Sequence, residues 1–329
     1  MMWSRDEART LMNKFGKERR PFFFMIDFKQ QKNIVLPLEE VDPEMIQFEM
    51  DSYSVNEPAS LASGEELPIS KDIYSKQLYA AQFRKVVSEI KKGNSFLVNL
   101  TCETPVYLKG DLKQIFQQAE AKYKLWYKDQ LVVFSPETFI RIEKGVISSF
   151  PMKGTIDASL PNAAELILNN PKEKAEHCTI VDLIRNDLSM VAENVKVVRF
   201  RYIDTLKTDS GKLLQVSSEI SGDLPENYHT AIGDILFKLL PAGSVTGAPK
   251  EKTMEIILST ETYERGFYTG VFGVFDGQDL DSAVMIRFIE KTDHGFVYKS
   301  GGGITAFSSM NDEYDEMLKK IYVPFNRKH

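Results

Sequence analysis

Two cysteines among 329 residues, Cys102 and Cys178, are too few for a disulfide framework, and neither belongs to a CxxC pair or a zinc-ligand spacing. A reducing compartment is expected. Long apolar runs are missing too: Met1 to Arg20 is charged and interrupted, and the stretch Phe22 to Ile26 stops at Asp27, too short for a signal-peptide core or a membrane span. A cytoplasmic protein with no membrane partner is expected. Positive charge is also short, because 41 Lys and Arg stand against 47 Asp and Glu, a net charge of −6. A general nucleic-acid-binding role needs a basic face to replace counterions, so small molecules and proteins are the expected partners. The sequence shows no internal repeat and no low-complexity tract.

What is present is an ordinary globular balance, 43% hydrophobic and 27% charged, in a chain longer than one core usually grows. We divide it into residues 1–70, a short N-terminal region packing on or completing the core, and residues 71–329, the catalytic domain, one continuous unit. In the first part Pro21–Asp27 and Asn33–Pro37 read as strands, and the Pro-, Ser- and Glu-rich stretch Glu57–Ser70 as a loop or linker. In the second, helices are expected over Ser75–Lys92, Leu112–Ala121, Pro171–Val191, Thr230–Leu240, Pro249–Ser259 and Asp312–Val323. Strands are expected at Ser95–Thr101, Leu131–Ser135, Phe139–Ile142, Val146–Phe150, Val195–Arg201, Gly270–Phe275, Ala283–Glu290 and Phe296–Lys299. Runs of strands interleaved with helices give an α/β fold in the α+β sense, with layers of antiparallel or mixed sheet.

The chemistry is concentrated in four places. Lys153 stands in Phe150-Pro-Met-Lys-Gly-Thr155, just before a Gly-Thr turn. At a reference pKa near 10.4 only about one lysine amine in 2,500 is free at pH 7, so a nucleophilic lysine must be desolvated or set beside another cation; the alternative is an exposed lysine at a strand end. Glu173 and Glu176 share one helix face behind the Asn170-Pro171 cap, and Glu313 and Glu316 share another. Such oxygen pairs suit Mg²⁺, or are simply solvated faces. Leu240-Pro-Ala-Gly-Ser-Val-Thr-Gly-Ala-Pro-Lys250 is a loop running into a helix but not a P-loop, and Ser300-Gly-Gly-Gly-Ile304 brings backbone N–H groups where an anion could approach. Arg287, in the middle of an apolar strand, either faces inward onto a carboxylate or points to solvent.

Taken in order, Ser135-Pro-Glu137, Pro151-Met-Lys-Gly-Thr155, Ile180-Val-Asp-Leu-Ile-Arg-Asn-Asp187, Gly243-Ser-Val-Thr-Gly-Ala-Pro-Lys250, Ile286-Arg287, Gly301-Gly-Gly-Ile304 and Glu313-Tyr-Asp-Glu316 resemble the chorismate-utilising enzymes. That family includes anthranilate, aminodeoxychorismate, isochorismate and salicylate synthases, and the resemblance spans about residues 75 to 323. It implies two antiparallel sheets, flanked by helices, enclosing the active site. It also implies that Glu176 and Glu316 bind Mg²⁺, with Glu173 and Glu313 behind them or bridging through water, and that the metal holds the ring carboxylate of chorismate. Arg287, Tyr268 and the Gly301, Gly302 and Gly303 amides resemble the groups that hold the pyruvyl carboxylate, and Lys320 a lysine near the substrate carboxylate. Thr155 and Thr246 would contact substrate, and Glu137 resembles the acid that protonates the departing C4 hydroxyl.

Two positions sort the family's reactions. Members that add water to chorismate carry a lysine base on the strand that here reads Phe96-Leu-Val-Asn-Leu100, and Leu97 at that place cannot deprotonate water. Anthranilate synthases generally have alanine where aminodeoxychorismate synthases, like this chain, have the lysine, here Lys153. The resemblance thus falls on the aminodeoxychorismate synthases, with anthranilate synthase or a non-catalytic homologue as alternatives. It implies that Lys153 adds at ring C2 and is displaced when ammonia attacks C4. Neither cysteine stands in a glutaminase-like nucleophile elbow, so a separate glutaminase subunit is the expected partner. The family histidine in the segment Leu213–Ser217 is replaced by Leu214, and Ile156-Asp157 follow the Gly-Thr where an arginine is usual. No Leu-Leu-Glu-Ser signature of a tryptophan pocket is present, and no tryptophan feedback is expected.

Overall fold

The run Phe22–Ile26 lacks polar alternation because both of its faces are covered. In the computed structural model, which describes residues 2–51, 53–56, 69–208 and 211–325, Phe22, Phe24 and Ile26 join one core while Phe23 and Met25 join another. A strand buried on both faces reads as a continuous apolar run. It belongs to a nine-stranded antiparallel sheet ordered Met152–Asp157, Gly211–Asp223, Val146–Ser149, Thr138–Glu143, Leu280–Val284, Val271–Phe275, Phe22–Ile26, Asn33–Pro37, with Glu193–Thr208 also paired to Gly211–Asp223. A second nine-stranded sheet runs Gly247–Ala248, Leu97–Leu108, Gly295–Ile304, Phe288–Thr292, Leu131–Ser135, Tyr123–Tyr127, Ile46–Glu49, Ser54–Val55, with Ile69–Lys71 also on Leu97–Leu108.

Three cores separate four layers. Helices Arg5–Lys17, Pro171–Ser189 and Ile232–Leu239 cover the outer face of the first sheet through Met12, Ile180 and Leu236. Helices Lys76–Lys91, Leu112–Gln118, Lys250–Thr260 and Met310–Lys319 cover the second through Val86, Phe116, Ile257 and Met317. Between the sheets lie Phe23, Phe48, Leu125, Val133, Phe272 and Phe288. Each large apolar side chain buried there contributes about 2 kcal/mol, which fixes the strand registers. The expected pair of antiparallel sheets flanked by helices is what the structure shows.

Several elements differ from the sequence reading. The charged segment before Arg20 holds the helix Arg5–Lys17, whose capping box Ser4/Glu7 and buried Ala8, Met12 and Phe15 were its signature. Residues 57–68 of the expected linker lie outside the described residues, and Ile69–Lys71 is a strand. Ala283–Glu290 is not one strand: Leu280–Val284 belongs to the first sheet and Phe288–Thr292 to the second, so Met285–Arg287 carries the chain across. Both halves are buried, and periodicity alone could not find the break. Lys153 does not precede a turn. It lies in the strand Met152–Asp157, opposite Val216, where the register shifts between Lys153 and Thr155 and Gly154 takes a φ of 79°. That bulge adds one residue and re-aims the lysine beside it.

Candidate active site

The glycine strand Gly295–Ile304 is the floor onto which the singled-out residues converge. A β-carbon on Gly303 would lie 3.0 Å from Leu97 Cδ1, 3.6 Å from Glu176 Oε2 and 3.8 Å from Lys153 Nζ. On Gly302 it would lie 3.4 Å from Glu313 Oε2, 3.7 Å from Glu316 Oε1 and 3.7 Å from Lys320 Nζ. At Gly303 a β-carbon would crowd Leu97, while at Gly302 it would sit in ordinary van der Waals contact with the carboxylates and Lys320. Gly301 serves the sheet instead, since its β-carbon would stand 2.3 Å from the Leu100 carbonyl oxygen. Four elements deliver these groups: the bulged strand, the strand Leu97–Leu108, the helix Pro171–Ser189 and the helix Met310–Lys319. Asn170 starts the third by accepting from the Lys172 and Glu173 amides.

Carboxylates and lysines alternate around this floor. Lys172 Nζ is 2.6 Å from Glu313 Oε1 and 3.8 Å from Glu176 Oε1, and Lys320 Nζ is 2.7 Å from Glu316 Oε1 while donating to the Gly301 carbonyl at 2.9 Å. Lys172 was not foreseen, although its place four residues before Glu176 was a readable signal. Glu176 is buried, its Oε1 has no hydrogen-bond partner, and burial pushes its pKa up to about 7 against the pull of Lys153 and Lys172. For Glu316 burial is the largest single influence and works upward, but Lys320, Lys172 and Lys153 together outweigh it and the pKa falls below the ordinary carboxylate value.

The raised Glu176 has a consequence for stability. Its folded pKa near 7 lies above the unfolded value of 4.5, so its contribution is complete below pH 4.5 and is lost as pH rises through 7. The ligand-free protein is expected to lose up to about 3 kcal/mol through this group between pH 5 and pH 8, and Glu176→Gln to lack that part of the slope. Urea unfolding of both proteins at the two pH values measures it. Equal slopes would show that Glu176 is not held protonated.

Glu137 sits at the other end of the site, half-buried. Its amide donates to Ser135 Oγ at 3.1 Å and its carbonyl accepts from the Val284 amide at 3.1 Å. Burial raises the pKa of its carboxyl, although a hydrogen bond from Ser244 and the charges of Lys153, Lys320 and Arg287 all act to lower it. A carboxyl whose pKa is raised although three cations face it is suited to protonating a leaving group. Arg287 is at the crossing between sheets with a φ of 54°, a conformation that costs a non-glycine residue roughly 1–3 kcal/mol. Its Nη1 donates to the Lys320 carbonyl at 3.1 Å, its guanidinium lies 4.8 Å from the Tyr322 ring, and its Nε is buried without a partner. The orphan donor and the strained backbone point to a ligand-facing role.

The remaining expected contacts are less uniform. Tyr268 is buried edge-on to Phe288, 5.7 Å between ring centres. Thr155 is exposed on the bulged strand opposite Gln215. Thr246 is fully buried, and its hydroxyl donates to the Ala242 carbonyl at 2.8 Å. Gly154 brings Glu173 near the bulge, with Oε2 3.1 Å from where a β-carbon would stand. Leu214 pairs with Ile156. A different histidine packs on the same strand: His177 is buried, its Nε2 lies 2.6 Å from Ser218 Oγ, and burial pushes it down to about 4, so it is neutral.

Among the described residues no three His, Cys, Asp or Glu side chains gather closely enough to hold a metal by themselves. A cation here would complete its shell with water and substrate oxygens, which is the habit of Mg²⁺. The unpartnered Glu176 Oε1 and the neighbouring Glu313 and Glu316 are donors of the right chemistry for it.

Residues 23–326 match the family described as chorismate binding enzyme. An uncharacterized PabA-like protein of Haemophilus influenzae is 51% identical over 314 residues, 95% of this chain and 94% of that one. Aminodeoxychorismate synthase component 1 of Klebsiella aerogenes is 31% identical over 267 residues, covering 75% of this chain and 57% of its own length. Among solved structures, MenF, the menaquinone-specific isochorismate synthase of Escherichia coli, superposes with a TM-score of 0.74 at 16% identity over 97% of this chain and 82% of its own.

Proposed function

The chain belongs to the chorismate-binding enzyme family, and on that premise we propose that it is the synthase component of an aminodeoxychorismate synthase, converting chorismate and ammonia to 4-amino-4-deoxychorismate. The observation that carries this reading is the pair beside Gly303: Lys153 Nζ and Leu97 Cδ1 both lie within 4 Å of where its β-carbon would stand. An amine nucleophile is present where a base for water is replaced by hydrocarbon. The Klebsiella relative supports the same branch.

Chorismate would lie over Gly302 and Gly303. Its pyruvyl carboxylate would take the free donors of Arg287, with Tyr268 beside it and Lys320 close to a substrate carboxylate. Mg²⁺, held by Glu176 and Glu316 with Glu173 and Glu313 near them, would neutralise the ring carboxylate. The lone pair of the Lys153 nitrogen forms a bond to ring C2, the conjugated double bonds shift, and the C4–O bond breaks as Glu137 gives its proton to the departing oxygen, which leaves as water. Ammonia then bonds to C4, the double bonds shift back, the C2–N bond to Lys153 breaks with its electron pair returning to the lysine nitrogen, and the new C4 ammonium gives a proton back to Glu137. The enolpyruvyl ether is retained throughout. Identifying by mass the product formed from chorismate, Mg²⁺ and ammonium tests the reading, and anthranilate would replace it with the lyase of the same family.

The nitrogen source follows from the two thiols. Cys102 is wholly buried and burial pushes it up to about 12, so it is no nucleophile, and Cys178 lies exposed on a helix with no resemblance to a glutaminase centre. The purified chain is expected to use ammonium and to ignore glutamine until a glutaminase subunit is added. Measurable turnover with glutamine alone would mean that the chain carries its own glutaminase chemistry.

A further inference from the structure

Arg287 sends a long side chain into the site from the crossing between the sheets, where its backbone is held with a φ of 54° and its carbonyl accepts from the Phe134 amide at 3.1 Å. A side chain of that length must also be held at its far end. One hold is the hydrogen bond from Nη1 to the Lys320 carbonyl at 3.1 Å. The other is the ring of Tyr322, whose centre lies 4.8 Å from the guanidinium carbon. Tyr322 is 45% exposed, so burial in a core does not account for where its ring lies. The segment that carries it is fastened to the second sheet and its neighbours: Tyr298 Oη donates to the Tyr322 carbonyl at 3.0 Å, the Glu120 amide donates to the Pro324 carbonyl at 2.8 Å, and Phe325 forms a β-bridge with Ala119. The carboxyl of Glu137 and the hydroxyls of Tyr268 and Tyr298 lie within reach of the Arg287 charge as well.

We infer that Tyr322 is the positioning residue of Arg287, its ring fixing the plane of the guanidinium so that the edge bearing the unpartnered Nε is offered to the pyruvyl carboxylate. The inference rests on the carboxylate-binding role proposed for Arg287. A single hydrogen bond to the Lys320 carbonyl fixes one point and leaves a planar group free to tilt about it. Stacking on an aromatic face removes that tilt, and a guanidinium takes a carboxylate through two parallel hydrogen bonds only when the two planes agree. The attraction comes from the ring's quadrupole, so it needs a π face and not merely apolar bulk, and it is strongest for tryptophan. The pyruvyl carboxylate does not react, so holding it stabilises bound substrate and transition state alike.

Tyr322→Phe, Tyr322→Trp and Tyr322→Leu separate a π face from bulk. Affinity is read by calorimetric titration of chorismate into the protein with Mg²⁺ and no ammonium, and kcat from chorismate consumption with ammonium saturating. Tyr322→Leu is expected to bind chorismate about 5- to 20-fold more weakly, with kcat within about threefold of the parent. Tyr322→Phe is expected to stay within about twofold of the parent in affinity, and Tyr322→Trp to bind at least as tightly. Arg287→Gln weakens binding by itself, and in that background Tyr322→Leu is expected to add less than about twofold, because it has no guanidinium left to orient. A leucine variant that binds as well as the phenylalanine variant, or a Tyr322→Leu effect that persists in full without Arg287, overturns the inference. Unchanged affinity in Arg287→Gln would refute the carboxylate-binding role of Arg287 and the inference with it. Affinity is read without turnover, so an unexpected product defeats the amination reading and leaves this one standing.

Discussion

Lys153→Ala is expected to lose aminodeoxychorismate formation by roughly 10³-fold or more while keeping its fold. The side chain is half-exposed and belongs to none of the three apolar cores, so shortening it removes no core contact. Whatever activity remains would come from direct attack of ammonia on the ring. A chorismate analogue with an electrophilic group in place of the C4 hydroxyl should label the intact enzyme at Lys153, and peptide mass mapping would read the position. Full activity in Lys153→Ala with the label on another lysine would reduce Lys153 to a substrate contact.

Glu316→Gln and Glu176→Gln should each lower turnover roughly 10²-fold or more, for one shared reason and one different one. Each removes an anionic oxygen from the proposed Mg²⁺ site, weakening the cation and the substrate carboxylate together. In Glu316→Gln the change also releases Lys320, whose ammonium is shared between Glu316 and the Gly301 carbonyl. Glu176→Gln instead neutralises a buried carboxylate whose Oε1 has no hydrogen-bond partner and has the charge of Lys172 at a distance of 3.8 Å. Mg²⁺ titrations of activity should shift to higher concentration in both, with far-UV circular dichroism unchanged. Near-normal turnover in Glu316→Gln would remove that residue from the metal site.

The site was more legible than the path of the chain that builds it. Motif spacing pointed to Lys153, Glu176, Glu313 and Glu316, and the structure brings all four to the Gly302–Gly303 floor. Arg287 was read inside a single strand because the apolar residues before and after it are buried in different sheets, and burial leaves the same mark in either. The bulge at Gly154 was read as a turn, since both need a glycine at positive φ. Only the hydrogen-bond pattern shows that the Thr246 hydroxyl closes on its own loop, at the Ala242 carbonyl.

The pairing of Phe22 with Phe275 joins strands far apart in sequence inside one sheet. During synthesis the first strand therefore emerges without its neighbour, and at about 5–20 residues per second the partner follows roughly ten to fifty seconds later. For that interval Phe-Phe-Phe-Met-Ile is an uncapped apolar segment of the kind that pairs with other chains. The strand Asn33–Pro37 can cover one edge at once, since it pairs with Phe22–Ile26 through a short connection. The opposite edge stays open until the strand Val271–Phe275 has been made, and shielding nascent chains from one another over that interval guards against their pairing through it.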